Sequence, residues 1–322
     1  MIRAFAFGLA ALAAGPGAAE IRLVPPVDCI LGDTCHIQNY VDRDPGPGAQ
    51  DFTCGPLVYD GHNGTDFAVA TLAEMAAGVA VLAPAAGTVT GIRDGMADIA
   101  FNAPGAPPLE GRDCGNGVAI DHGQGWTTQL CHLKQGSVSV KPGDTVALGQ
   151  AVGLIGLSGR TEFPHVHMTL RKDGAVVDPF RPDDPTSCGA DPGPGLWADP
   201  IAYVSGAITA AGLAPAPPDY AQVLAGLPTP EPLPQRAEAL VIWALMLGPR
   251  AGDTLSMRLT GPNGVIVEQN ATVERTQARA FRFSGRKLRG ATWPTGEYTG
   301  TVELQRDGQV LDRAEVQGFV AP

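Results

Sequence analysis

Apolar and polar residues alternate in short runs along most of the chain, and turn residues separate the runs. "VLAPAAGTVTGIRDG" (81–95), "NGVAIDHGQGWTTQLCHL" (116–133) and "SVSVKPGDTVALGQAVGLIGLSG" (137–159) each carry the period-2 pattern of a half-buried strand. Within them "DHGQG" (121–125) reads as a Gly-rich turn between two strands, which assigns His122 to the turn, and "KPGDTVALGQ" reads as turn, strand, turn. A Gly/Pro-rich stretch at 94–113 interrupts the series as a surface loop. After residue 236, "ALVIWALML", "TLSMRLTGPNGVIVEQNATV", "ARAFRFSG" and "GEYTGTVELQRDGQVLDRAEV" predict about seven short strands, the pattern of a small immunoglobulin-like β-sandwich. Between the two regions, "APAPPDYAQVLAGLPTPEPLPQ" reads as a semi-rigid proline-rich linker over 214–236. The expected organisation is mainly β: a hairpin-rich domain over 20–213 with its core at about 55–180, the linker, and a sandwich over 237–322.

Composition agrees, since 42 Gly and 29 Pro with 17% charged residues favour turns and strands over long helices. The net charge is −11, from 33 acidic against 22 basic residues. Such a surface repels phosphate backbones, and no basic stripe with aromatic platforms interrupts it, so nucleic acid is excluded as a partner. The first residues add an address: Arg3 precedes an apolar run from Ala4 to Ala14, and small residues lead to Ala19, as in a secretory signal peptide over 1–19. No later stretch reaches the roughly 20 apolar residues of a membrane span, so no stable span is expected once the signal is cleaved. Export also suits the six cysteines, an even number that an oxidising compartment pairs. The favoured pairing is Cys29 with Cys35 across a short loop and Cys114 with Cys131 flanking a hairpin, which leaves Cys54 with Cys188.

The chemistry gathers between 55 and 180, where five of the six histidines fall. In "EFPHVHMTL" (162–170), His165 and His167 are two residues apart, so on a strand both imidazoles present to one face. In "GHNGTDFAV" (61–69), His62 stands four residues before Asp66 with turn residues between them, so the two are expected to converge across a tight loop. Alone, such a pair is more often a simple His-Asp contact than a metal site. The ordered set of His62, Asp66, His132 in "LCHL", His165 and His167 is more specific.

That set resembles the zinc metallopeptidases of the LytM/lysostaphin type, peptidase family M23. The resemblance covers roughly 60–180 and includes HxxxD, a central "HL" histidine, HxH, and the cadences "GNGVAIDHGQGWTTQLCHL" and "VKPGDTVALGQAVGLIGLSG". It extends to the Asp178-Pro179 that follows the last strand. It implies that His62, Asp66 and His167 hold Zn²⁺, with a fourth tetrahedral position left for water. It also implies that His132 and His165 are catalytic, one taking a proton from water and one stabilising the oxyanion, with the division between them open. The activity implied is hydrolysis of the peptide cross-links of bacterial peptidoglycan, in the periplasm or outside the cell. The peptide stems of the wall would be the substrate.

Some residues depart from the family pattern. "QLCHL" lacks the tyrosine often found before the central histidine, Met168-Thr169 replaces the usual Phe-Glu, and "SGRTEFP" brings Glu162 near the site in place of a Ser-Gly run. A non-catalytic LytM-like module that binds the wall or regulates a partner hydrolase is the main rival. Retention of all five residues disfavours it. A lipoyl-like carrier hairpin is weaker still, because Lys141 precedes a Pro-Gly turn and does not sit at a hairpin tip. The sandwich holds no histidine and reads as a spacer or as a surface for a protein partner.

Overall fold

The computed structural model describes residues 21–189, 193 and 195–322. The expected signal segment, 1–19, lies outside the described residues. None of the described helices is long and apolar enough to cross a membrane.

The first domain contains β1 (His36–Asn39), β2 (Thr65–Ala68), α1 (Leu72–Ala77), β3 (Ala80–Leu82), β4 (Gly87–Arg93), β5 (Asn116–Gly123), β6 (Trp126–Leu133), β7 (Thr145–Val146), β8 (Ala151–Leu154), β9 (His165–Lys172) and β10 (Ala175–Val176). Its main sheet runs in the order β1-β2-β9-β6-β5-β4-β7, with β10 paired to β9, and β3 and β8 form a separate pair. Alternation decides which way each strand faces. On β9, Val166, Met168 and Leu170 enter the core beside Val118, Ile120, Leu130 and Phe67, so His165, His167 and Thr169 fall on the opposite face. The helix α1 is short and opens with a capping box between Thr71 and Glu74.

Three disulfides join Cys29 to Cys35, Cys54 to Cys188 and Cys114 to Cys131, the pairing favoured from spacing. Asp178, at the end of the domain, accepts from the Arg43 guanidinium at 3.0 Å and from the Phe180 backbone N–H at 2.9 Å. The same guanidinium donates to the carbonyls of Ser187 and Arg181, which ties the segment after β10 to the start of the domain.

The second domain contains β11 (Ala207–Ala214), α2 (Tyr220–Ala225), β12 (Ala239–Leu247), β13 (Thr254–Gly261), β14 (Gly264–Thr272), β15 (Arg279–Lys287), β16 (Gly296–Arg306) and β17 (Gln309–Val320). Two sheets, β11-β12-β15 and β14-β13-β16-β17, face each other across a core that includes Leu213, Ile242, Met246, Leu255, Leu259, Val302 and Leu304. This is a seven-stranded sandwich. Tyr298, near the start of β16, donates its hydroxyl to the Pro294 carbonyl at 2.7 Å, the corner contact of immunoglobulin-like sandwiches. The unbroken apolar run of β12 has a plain reason, since its other face packs Val241, Trp243 and Leu245 with Val223 of α2.

Two features differ from the pattern-based organisation. The sandwich takes its first strand, β11, from 207–214, ahead of the prolines used to divide the chain. An Ala/Gly-rich strand that pairs with β12 from Ala207 to Ala214 carries no alternation to announce it. The proline-rich stretch is also not a free spacer. It holds α2, which opens with a capping box between Asp219 and Gln222, and its Leu233 bridges to Val320. The two domains are in contact: the Gln38 side chain donates to the Ala278 carbonyl at 2.9 Å, and Leu247 of β12 belongs to the first domain's core.

Candidate metal centre

The strand register builds the site. Asp66 on β2 lies opposite His167 on β9, Ala68 lies opposite His165, and Cys131 on β6 lies opposite His167. His62 enters from the turn just before β2. Its Nε2 is 3.2 Å from Asp66 Oδ1 and 3.1 Å from His167 Nδ1, and His167 Nδ1 is 2.8 Å from the same Oδ1. Among the described residues, His62, Asp66 and His167 form a group whose ligand atoms could hold one metal ion.

The outer contacts of these side chains decide where their lone pairs point. His62 Nδ1 faces the Tyr40 carbonyl at 2.6 Å, so the proton sits on Nδ1 and Nε2 carries a lone pair. His167 Nε2 faces Asn63 Oδ1 at 3.2 Å and Thr169 Oγ1 at 3.0 Å, which places its proton on Nε2 and its lone pair on Nδ1. Asn39 donates to Asp66 Oδ2 at 2.8 Å, leaving Oδ1 for the centre. Two nitrogen lone pairs and a carboxylate oxygen therefore converge within 3.2 Å. Such a trio repels itself unless a cation lies between its members. A tetrahedron with bonds of 2.0–2.1 Å has edges of about 3.3 Å, so the spacing and the donor set both fit Zn²⁺.

The electrostatics agree. Burial opposes a charge on His62, but the Asp66 carboxylate, the Tyr40 carbonyl and Asp42 together outweigh it and raise the imidazole above its ordinary value. Burial likewise opposes ionisation of Asp66, yet His62 and His165 hold it well below the usual carboxylate range. His167 is lowered, chiefly by burial. The centre therefore favours a positive charge among its donors, whether a proton or a metal ion supplies it.

His132 and His165 stand beside the trio. Their ring centroids are 4.7 Å apart, and His132 lies 6.0 Å from the His167 ring. His132 Nδ1 donates to the Ser158 carbonyl at 2.7 Å, and His165 Nδ1 donates to the Phe163 carbonyl at 2.9 Å, so in each ring Nε2 is the atom that faces the centre. His165 Nε2 reaches Asp66 Oδ1 at 3.3 Å. Burial, then the neighbouring His165 and His167, holds His132 well below the ordinary histidine value. His132 also has φ +65°, a strained conformation for a residue other than Gly. The Cys114–Cys131 disulfide and the bond from its own N–H to the Cys114 carbonyl hold it there.

His122 lies apart at the hairpin end, bonded to the Ala86 carbonyl and Thr128 Oγ1. Glu162 is exposed and accepts from Asn102 at 2.8 Å, so it anchors the 94–113 loop. The supporting roles of Asn39, Tyr40 and Asn63 carried no spacing signal, and Thr169 stands where the resemblance expects glutamate. A cleft of about 330 Å³ opens beside His62, lined in part by Asp42, Asp44 and Asp60.

Fold and site together define a β-hairpin domain with a metal-type His-Asp-His trio and two attendant imidazoles. Residues 60–179 match the family model Peptidase family M23, so the chain carries a peptidase M23 domain. The chain is 35% identical over 124 residues to peptidoglycan DD-endopeptidase ShyA of Vibrio cholerae, a match that covers 38% of this chain and 23% of that protein. It is 35% identical over 71 residues to cell division protein DipM of Caulobacter vibrioides, covering 22% of this chain and 11% of that one. The chain thus spans less than a quarter of the length of either relative. Among solved structures, the catalytic domain of lysostaphin from Staphylococcus simulans aligns at 23% identity and a TM-score of 0.28, covering 40% of this chain and 84% of that chain.

Proposed function

We propose that this chain is an exported zinc metalloendopeptidase, periplasmic or secreted, that hydrolyses peptide cross-links of bacterial peptidoglycan. The observation that carries the reading is the convergence of His62 Nε2, Asp66 Oδ1 and His167 Nδ1, each oriented by a hydrogen bond on its far side. Such outer contacts are the usual support of a metal ligand set. The chemistry that an ion supplies at such a site is Lewis acidity, which brings the pKa of water toward about 7 and polarises a carbonyl.

The chain's own residues do the rest. His132 and His165 present Nε2 toward the centre, where the Nε2 lone pair of one imidazole takes the proton of the attacking water and the other hydrogen-bonds the carbonyl oxygen as it becomes an oxyanion once its Nε2, as well as its Nδ1, carries a proton. Backbone carbonyls fix both tautomers, so neither ring has to reorient as the reaction proceeds. The relatives named for peptidoglycan hydrolysis and cell division, and the three disulfides, support an envelope location.

A non-catalytic wall-binding or regulatory module is the second reading, and two catalytically oriented imidazoles beyond the trio weigh against it. The test is release of soluble muropeptides from purified sacculi of several wall chemistries. Wild type releases them. His132→Ala and His165→Ala keep zinc but lose about 10²- to 10⁴-fold in rate. A zinc-loaded wild type that releases nothing from any wall would support the second reading.

A further inference from the structure

A side chain of the sandwich reaches toward the candidate catalytic cluster. Arg279, the first residue of β15, lies with its guanidinium 5.6 Å from the centroid of the Phe163 ring and over it, and donates from one terminal nitrogen to the Ala70 carbonyl at 2.7 Å. Phe163 in turn stacks on His165, with ring centroids 4.3 Å apart and planes 20° from parallel. The Phe163 carbonyl also accepts the His165 Nδ1 proton, which Thr161 Oγ1 approaches at 3.2 Å as well, so Phe163 bears on both the plane and the tautomer of that imidazole. We propose that Arg279 is a positioning residue for the peptidase: it fixes Phe163 and, through it, the His165 ring, which makes the sandwich a working part of the active site. The inference rests on the peptidase reading above.

Several contacts show why this residue is placed to do so. Phe163 sits in a stretch without regular structure before β9 and is only partly buried. Its local hold comes from Thr161, whose hydroxyl donates to the Phe163 carbonyl at 2.8 Å and accepts from its N–H at 3.3 Å. These bonds secure the backbone and do not involve the ring, which contacts His165 and Arg279. The cation over the ring adds an attraction that favours its present orientation. Ala70 lies two residues beyond Ala68, the register partner of His165, so Arg279 spans the two chain segments that flank this histidine. Arg279 is itself held in place. Its neighbour Ala278 receives the Gln38 side chain, and its register partner Leu247 is fully buried in the first domain's core.

Glue between domains and positioning of His165 predict different kinetics. Loss of glue lowers stability. Loss of positioning lowers kcat with KM unchanged, because His165 acts in the transition state. In the full-length zinc-loaded protein, Arg279→Ala should lower kcat about tenfold with KM within about twofold, and Arg279→Lys, which keeps a cation and a donor, should recover most of that loss. Phe163→Leu should cost a similar factor, and the double variant no more than either alone, as expected of residues acting in series. Long-range ¹H–¹⁵N spectra of the histidine rings supply a readout independent of turnover: Arg279→Ala should shift the His165 signals and leave those of His122 in place. An unchanged His165 spectrum overturns the proposal. So does a double variant whose losses multiply. A wild type inactive on every wall while zinc is bound would count against the peptidase reading alone, and the His165 spectrum would then decide this one.

Discussion

One close steric constraint on the His-Asp-His trio is Gly64, in the turn between His62 and Asp66. A Cβ placed there would lie 2.6 Å from both Cε1 and Nε2 of His167 and 2.7 Å from the Met168 carbonyl oxygen. Gly64 is not among the residues with positive φ, so alanine meets no left-handed backbone penalty there and the collision is the main effect. Non-bonded carbons rest about 3.5–4.0 Å apart, so the His167 ring must retreat by roughly 1 Å. Metal–ligand distances tolerate only about 0.2 Å. Gly64→Ala should therefore weaken zinc binding about 100-fold, or ~2.8 kcal/mol, the upper end of what displaced ligand support costs. Overpacking should also lower stability by about 1–3 kcal/mol. The assay is zinc competition against a chromophoric chelator, with Gly91→Ala as control, because a Cβ at Gly91 would meet no atom within 4 Å and its φ is not in the left-handed range. Zinc affinity within about threefold of wild type in a folded Gly64→Ala would refute this account of the His167 ring.

Other expectations follow from the same contacts. Thr169→Val removes the hydroxyl beside His167 Nε2, and Asn39→Leu removes the donor to Asp66 Oδ2; each should weaken zinc affinity about 10- to 100-fold in the same competition assay. Replacing Cys114 and Cys131 together by alanine opens a 17-residue separation and should cost about 3 kcal/mol in chemical denaturation. The same double variant should slow turnover, since the bridge holds the strained His132 backbone. Asp178→Ala leaves the Arg43 guanidinium buried without its carboxylate and should cost about 3–5 kcal/mol, read as a lowered denaturation midpoint.

Much of the first domain was legible because its strands show one face to the core and one to solvent. The period-2 rule put His165 and His167 on one face, as their partners on β2 show, and turn chemistry put His62 and Asp66 across a loop, where His62 Nε2 lies 3.2 Å from Asp66 Oδ1. The cysteine pairing followed from loop length and hairpin position. What stayed hidden depends on tertiary contact. β11 is an Ala/Gly-rich strand whose identity comes only from pairing with β12, and α2 lies among prolines and is fixed by its cap and by Val223. Tyr40 supports His62 through a backbone carbonyl, which any residue could supply, so its identity carried no information. Arg279 reaches Phe163 from a different domain, a contact no local pattern encodes.

The central claim is that His62, Asp66 and His167 hold zinc, and metal analysis of the purified mature chain tests it most directly. The account predicts about one zinc per chain in wild type and near-complete loss in His62→Ala and in His167→Ala, with zinc retained in His132→Ala and His165→Ala. Full zinc occupancy in either of the first two variants, or a folded wild type that takes up no zinc, would contradict it.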